Sequence, residues 1–206
     1  MATRRLPAPQ GGSMATMQRI SQRISTGTAL QRRKPGTWLA LSLLLAAPVA
    51  LASDVLQPQW GARQAVIAAD GPGELVLDGA RRVVRHTDVA GIPFTLNYRF
   101  EDDRLRQVRL FSRARHADPG RYLDDHFELE AALTGIYGEP DVADAEWTDD
   151  QLMDRPEYHG QAVQVGFLTL IAGWEHADAR VFLTLERQSF RPAQQLILTD
   201  PDVELR

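Results

Sequence analysis

The chain contains no cysteine. Disulfide bonds and thiolate metal sites are therefore excluded, and so is a lipoprotein anchor, which needs a cysteine thiol to carry its acyl group. Lysine is missing after Lys34, so every later basic side chain other than histidine is an arginine. The longest apolar run, from Trp38 to Ala52, is also shorter than the about 20 residues of a membrane-spanning helix.

That apolar run has the layout of a secretory signal peptide. A basic cluster, Arg32 to Lys34, precedes it, and small residues stand at alternate positions at its end. We expect a signal peptide over residues 32–52 with cleavage between Ala52 and Ser53, and a periplasmic or secreted protein. A retained membrane anchor is the alternative, which the shortness of the run disfavours. Residues 1–31 are rich in Ser, Thr, Gln, Gly and Arg and are predicted to be a disordered overhang.

Charge excludes one class of partner for the exported part. Residues 1–52 hold seven basic and no acidic side chains, so their removal leaves 16 basic and 27 acidic ones, a formal net charge of −11. Such a body repels nucleic acid and anionic lipid, so we expect no nucleic-acid partner and no stable membrane insertion after cleavage.

Periodicity predicts an α+β fold in a single exported domain over residues 53–190. The stretch 92–100 alternates between apolar and polar residues, and 104–113 and two runs between 162 and 190 predict further antiparallel strands. Helices are predicted over 59–70 and after Pro119-Gly120, where Gly138 and Pro140 end the second one. Residues 191–206 are predicted to be a C-terminal tail with at most one edge strand.

The two halves of the domain repeat one order of elements, over about 59–115 and 119–190. Each half reads as a helix, a Gly/Pro stop, a weak strand and a long hairpin. Two such helix-plus-three-strand units predict one antiparallel sheet with two helices on its apolar face and a solvated opposite face.

Four features carry a resemblance to known exported proteins: Trp60-Gly61, the first hairpin "LNYRFEDDRL", "IYGEPDVADAEW" after the second helix, and the last hairpin. With these the chain resembles the small α+β outer-membrane assembly lipoproteins and the β-lactamase-inhibitor-like proteins. Unlike those families, this chain has neither a lipidated cysteine nor stapling cysteines. The resemblance implies a binding or assembly module without catalysis.

His126 and Glu130 are the sharpest candidates for chemistry. They stand four residues apart on the second predicted helix, so the carboxylate can orient the imidazole. Such a pair serves as a general base or as part of a metal site, and the alternative is a structural histidine bonded inside the core. The other four histidines are isolated in sequence, and no nucleophile or phosphate-binding motif is present. No catalytic residue, cofactor or metal site is therefore assigned.

Arginines concentrate on the first hairpin, and Arg99, Arg109 and Arg113 are candidates for binding an anionic partner. The alternative is that they pair with the acidic turn, 101–103, on a solvated face. Trp174 near a strand end is either a partner anchor or a cover for the core. The function favoured by the sequence is an exported, non-enzymatic binding or envelope-assembly module, whose partner is an envelope protein or an anionic envelope ligand. A small hydrolase or metal-dependent enzyme centred on His126 and Glu130 is the alternative.

Overall fold

The computed structural model describes residues 54–203. The predicted overhang, the signal peptide and the cleavage site at Ala52 and Ser53 lie outside the described residues. Residues 54–56 are helical, and they are followed by three further α-helices, a 3₁₀ helix at Pro156–Tyr158 and eight strands. The helices are α1 (Gln64–Asp70), α2 (Gly120–Tyr137) and α3 (His159–Val165), and the strands are β1 (Glu74–Gly79), β2 (Arg82–Val89), β3 (Ile92–Glu101), β4 (Arg104–Ser112), β5 (Val142–Trp147), β6 (Leu168–His176), β7 (Ala179–Gln188) and β8 (Arg191–Thr199).

All eight strands belong to one antiparallel sheet in the order β1-β2-β3-β4-β8-β7-β6-β5. The predicted fold class, helices combined with a single antiparallel sheet, is thus confirmed. Eight strands instead of the expected six are present, because β1 and β2 are two full strands and the end of the chain adds β8.

Strand β8 lies in the middle of the sheet, so the prediction of a C-terminal tail with at most an edge strand is wrong. Residues 195–199 of β8 pair with β4, and the whole strand pairs with β7. Pro192 lies in the part of β8 that pairs with β7 alone, where a missing backbone N–H is most easily accommodated.

Helix α3 replaces the beginning of a predicted strand. The apolar residues Ala162 and Val163 are fully buried in this short helix, which ends at Gly166 with a φ of 84°. The following strand begins only at Leu168. A short apolar run has no period that distinguishes a buried helix from a strand, and the glycine in the left-handed region ends the helix.

Helix α2 has the predicted limits. Gly120 begins it and Gly138, with a φ of 84°, ends it. Helix α1 is shorter than expected because the chain before it is bonded to β4: the amide of Gly61 donates to the carbonyl of Leu105, and the amide of Leu105 donates to Ala62.

One side of the sheet, here called the inner face, carries alternate buried residues. Those of β2, β3, β4, β6, β7 and β8 share one buried cluster with Leu129, Leu133 and Tyr137 of α2. A second cluster joins Tyr122 of α2 to Ala162 and Val163 of α3. The main cluster includes Phe94, Leu96, Tyr98, Val108, Leu110, Ala172, Trp174, Val181, Leu183, Leu196 and Leu198.

Arg85 is an inner-face residue that anchors α1. Its side chain is 7% exposed, and its guanidinium donates to four backbone carbonyls at the end of α1 and in the loop that follows. A helix C-terminus leaves carbonyls without intrahelical partners. The buried arginine therefore donates hydrogen bonds to carbonyls that would otherwise lack a hydrogen-bond partner. The acceptors are Ile67, Ala68, Pro72 and Gly73.

Candidate binding surface

The opposite side of the sheet, here called the outer face, brings the predicted arginines together. Side chains alternate along a strand, and Tyr98 and Leu110 are fully or almost fully buried. Arg99 of β3 and Arg109 of β4 therefore point to the outer face, and Arg113 follows on that side just after β4. Arg82 of β2, which the sequence analysis did not single out, stands directly opposite Arg99 in the strand register.

These four residues, called the arginine half, form no ion pair with a described carboxylate. Arg109 Nε donates to Gln107 Oε1 at 2.7 Å, and Arg113 Nη1 lies 3.1 Å from His86 Nδ1. Of the arginines on the first hairpin, Arg106 alone pairs with a described acid, Asp200, at 2.6 Å. The alternative, ion pairs with the acidic turn 101–103, is not observed among residues 54–203.

The direct opposition of Arg82 and Arg99 has an energetic consequence. Like charges at opposite positions of neighbouring strands destabilise the pair, and neither guanidinium forms an ion pair with a described carboxylate. An anionic group placed between the two guanidiniums would remove this repulsion and form charge-assisted hydrogen bonds. The arrangement favours binding of carboxylates or phosphates.

One apolar row runs from the middle of the outer face to the edge strand β5. Ile197 of β8 pairs in register with Phe182 of β7, which pairs with Gly173 of β6, and Gly173 pairs with Val142 of β5. Phe182 is 45% exposed and Val142 is 53% exposed. An apolar row between charged regions is the usual composition of a protein–protein interface.

The far end of the outer face is acidic. Asp144, Glu146, Glu175 and Glu186, called the acidic half, lie at outward positions of β5, β6 and β7, and none of them forms an ion pair with a described residue. Several outward charged residues depart from this division, among them Glu101 on β3 and Arg191 on β8. Asp88 lies on β2, and Arg180 lies on β7, where its Nη2 donates to the carbonyls of Pro201 and Val203.

His126 and Glu130 face each other as the sequence predicted, but inside the protein. The His126 side chain is fully buried, its Nε2 is 4.0 Å from Glu130 Oε2, and neither ring nitrogen has a hydrogen-bond partner among the described residues. Burial lowers the pKa of His126 to about 3. Desolvation raises the pKa of Glu130, and Glu139 adds to the increase. At neutral pH the imidazole is therefore uncharged and has no access to a substrate.

A second histidine–carboxylate pair was missed by the sequence analysis. His116 Nε2 lies 2.7 Å from Asp125 Oδ2, and the hydroxyl of Tyr122 accepts from the amide of His116. The pair borders a cleft whose described lining contains no serine, threonine, cysteine or lysine to act as a nucleophile. His116 and Asp125 are nine residues apart, and His116 precedes the helix, so no helical spacing in the sequence indicates that they form a pair.

Trp174 is not part of the outer face. It is 2% exposed, and its indole Nε1 donates to the carbonyl of Gly138 at 2.9 Å. The hypothesis that Trp174 anchors a partner is therefore wrong, and the residue covers the core. Within residues 54–203, no group of three or more His, Asp or Glu side chains is placed to hold a metal ion.

The fold places the described residues in a structural class, that of α+β domains with one eight-stranded antiparallel sheet. Comparison of the chain with protein-family models, with curated proteins and with solved structures gave no match in any of the three. The resemblance to exported assembly and inhibitor proteins stays a prediction. No helix among the described residues is long and apolar enough to span a membrane.

Proposed function

We propose that this chain is an exported, non-enzymatic binding module that presents the outer face of its sheet to an acidic protein partner in the cell envelope. The observation that carries the proposal is the arginine half. Arg82 and Arg99 stand opposite each other, and no described carboxylate pairs with them. Unpaired guanidiniums on a strand pair are available to bind carboxylates through two parallel hydrogen bonds.

The composition of the outer face favours a protein over a small ligand. Arg82, Arg99 and Arg109 line a surface cleft, but the outer face continues beyond it with exposed apolar residues, Phe182 on β7 and Val142 on the edge strand β5, whereas small-molecule sites bury most of the ligand within a cavity. An anionic envelope lipid or polysaccharide is the competing partner, and it would engage the arginine half alone.

The proposed architecture leaves this face free. Helices α1 and α2 lie on the inner face as the covers of two repeated units, so the outer face is the side on which a partner can dock. Ile67 of α1 packs on the main buried cluster, which also contains Leu129 and Leu133 of α2. These contacts support the placement of both helices on the inner face.

Export is the second part of the proposal. It rests on the sequence of residues 32–52 and predicts that the protein isolated from its host begins at Ser53. Determination of the amino-terminal residue of the extracytoplasmic protein tests this, and a protein that retains residues upstream of Arg32 in that compartment would contradict it.

The competing enzymatic function is not favoured. A general base must come within hydrogen-bond reach of the proton that it removes, and the fully buried ring of His126 meets no solvent. Three surface clefts of the described residues, including the one beside His116, are lined by neither His126 nor Glu130.

A titration with defined anionic probes tests the binding function. The exported protein, residues 53–206, dilute enough to be monomeric by sedimentation, is titrated with poly-glutamate peptide at about 0.15 M salt, where charges beyond about 8 Å are screened. We expect binding that weakens about tenfold or more in the variant Arg82→Ala/Arg99→Ala, since each tenfold change corresponds to about 1.4 kcal/mol. The control variant Arg121→Ala removes an exposed arginine of α2 and should leave the affinity unchanged.

Vesicles of phosphatidylglycerol form the second arm of the experiment. Vesicle binding that depends on Arg82 and Arg99, without binding of the peptide, would overturn the acidic protein partner in favour of a lipid headgroup. Equal affinities of the wild-type protein and the double variant for the peptide would contradict the role of the arginine half.

A further inference from the structure

The chain turns back over the outer face after β8. Leu198 is fully buried on the inner face, so Thr199 lies on the outer side of the strand, yet it is only 7% exposed. Val203, the last described residue, lines the same surface cleft as Arg99 and Arg109, here called the arginine cleft. The described part of the chain therefore ends beside the arginine half and not beyond the end of β8.

Hydrogen bonds hold this turn in place. The amide of Val203 donates to the carbonyl of Asp200 at 3.1 Å, and Nη2 of Arg180 donates to the carbonyls of Pro201 and Val203. Arg106 Nη1 is 2.6 Å from the carboxylate of Asp200, whose side chain is 4% exposed. The chain therefore continues from a fixed point on the wall of the arginine cleft.

We propose that Glu204–Arg206, the segment that follows Val203 and lies outside the described residues, docks in the arginine cleft and competes there with the acidic partner. The Glu204 carboxylate pairs with the guanidiniums of Arg99 and Arg109. This inference rests on the proposed function, because it names a regulator of the same surface.

Glu204 is within reach of both arginines. Thr199 pairs with Gln107 on β4, and Gln107 pairs with Arg99 on β3, so Arg99 stands two strand spacings, about 10 Å, from Thr199. One residue advances the chain by at most about 3.8 Å, and the long glutamate and arginine side chains cover the rest. The cleft has a volume of about 1110 Å³, at the upper end of the range for ligand sites, so three residues fit in it.

Gln107 orients Arg109 on the floor of the cleft. Oε1 of Gln107 accepts from Nε of Arg109 at 2.7 Å, and Nε2 of Gln107 donates to Oγ1 of Thr199 at 3.1 Å. Arg109 forms no ion pair with a described carboxylate. Its two Nη groups are therefore available to a carboxylate that approaches from Val203, through two parallel hydrogen bonds.

The charges of the segment match those of the cleft in order and spacing. Glu101 follows Arg99 by two residues on β3, and both line the arginine cleft. Glu204 and Arg206 are likewise two residues apart and carry the opposite signs. An extended segment therefore places each of its charges beside the opposite charge of β3. On the other side of the turn, the exposed carboxylate of Glu175 on β6 would repel Glu204.

The expected competition is modest and reversible. Glu204 directly follows Val203 on the cleft wall, so its effective concentration at the arginines is on the order of millimolar. One exposed ion pair changes an equilibrium by at most about fivefold. A partner that brings several carboxylates at once displaces the segment, whereas a single free carboxylate does not.

Titration of the exported protein, residues 53–206, with poly-glutamate peptide tests the competition. We expect a variant that ends at Val203 and the variant Glu204→Gln to bind the peptide up to about fivefold more tightly than the wild-type protein. Neither change removes a described residue, so the fold is retained. The matched control Glu157→Gln removes an exposed carboxylate of the 3₁₀ helix and should leave the affinity unchanged.

NMR of the arginine side chains tests the docked segment without any ligand. The Nε–H signals of Arg99 and Arg109 should shift between the wild-type protein and Glu204→Gln, and that of Arg121 on α2 should not. Unshifted signals, or equal peptide affinities of the wild-type protein and both variants, overturn this inference and leave the binding function intact as long as binding requires Arg82 and Arg99. If no variant binds the peptide, the proposed function fails, and the NMR signals alone decide whether the segment docks.

Discussion

Glu130 lies one helical turn after His126 on α2, and its Oε2 is 4.0 Å from Nε2 of His126, too far for a hydrogen bond. The ring is fully buried, so two polar nitrogens remain in the core without a partner among the described residues. A buried polar group without a hydrogen bond costs roughly 1–3 kcal/mol. The unpaired ring nitrogens of His126 therefore lower the free energy of unfolding.

The substitution His126→Leu should therefore stabilise the protein. Leucine has a similar volume and no polar atom, and we expect the free energy of unfolding at neutral pH to rise by about 1 kcal/mol or more. Urea denaturation measures the change. The control Leu129→Ala, on the same buried side of α2, should cost about 2–5 kcal/mol. A loss of stability in His126→Leu would show that the ring has a bonding partner in the folded protein.

His126 should make the folded protein less stable as the pH falls below the ordinary pKa of histidine. The folded pKa of about 3 lies below the ordinary histidine value of 6.5, so between these values the unfolded chain binds a proton that the folded protein does not. Stability from this group is complete above pH 6.5 and falls by about 1.4 kcal/mol for each pH unit below it, down to about pH 3.

Glu130 acts in the opposite direction, because its folded pKa is raised and its contribution is lost as the pH rises above the unfolded value. Comparison of the wild-type protein with His126→Leu separates the two effects, since Glu130 is present in both. The wild-type protein should lose more stability than the variant between pH 6.5 and 5. Parallel curves would contradict the lowered pKa of His126.

Arg85 should be the most important arginine for stability. The variant Arg85→Met keeps an apolar stem but removes the donors to four backbone carbonyls. Because hydrogen bonds from charged groups contribute about 1.5–3 kcal/mol each and are not additive, we expect a loss of about 3 kcal/mol. Arg82→Met on the same strand, an exposed side chain, should change stability by less than about 0.5 kcal/mol. Equal effects of the two substitutions would refute the anchoring role.

Trp174→Phe should reduce stability without affecting a docking surface. Phenylalanine cannot donate to the carbonyl of Gly138 and leaves part of the indole volume empty, so we expect a loss of about 2 kcal/mol. Thermal unfolding and the poly-glutamate titration together test this. Weaker peptide binding with an unchanged free energy of unfolding would contradict the core role and show that Trp174 contacts the partner.

Alternation and helix-stop signals were sufficient to predict much of the sheet and the long helix. Strand β3 alternates without interruption, and α2 is bounded by Pro119 and Gly138 as predicted. The central position of β8 was not predictable, because two glutamines and a proline give it the composition of an edge strand, and only pairing with β4 and β7 explains the burial of Leu196 and Leu198.

The candidate surface needed the strand register, which the sequence does not contain. A bulge between Arg99 and Phe100 shifts the pairing of the first hairpin, so period-two reading alone cannot say which β4 arginines share a face. Arg82 and Arg99 are 17 residues apart in sequence, and only the pairing of β2 with β3 places them opposite each other. Arg85 was missed because its inward position depends on partners at the end of α1.

Photo-crosslinking from the outer face in the native host is the most direct test of the central claim that this face is the binding surface. A benzophenone amino acid replaces Phe182 on the outer face or, as a control, the exposed Val165 of α3. The account predicts discrete adducts from position 182 that disappear in the Arg82→Glu/Arg99→Glu variant, and none from position 165. Adducts from position 165 without adducts from position 182 would contradict it.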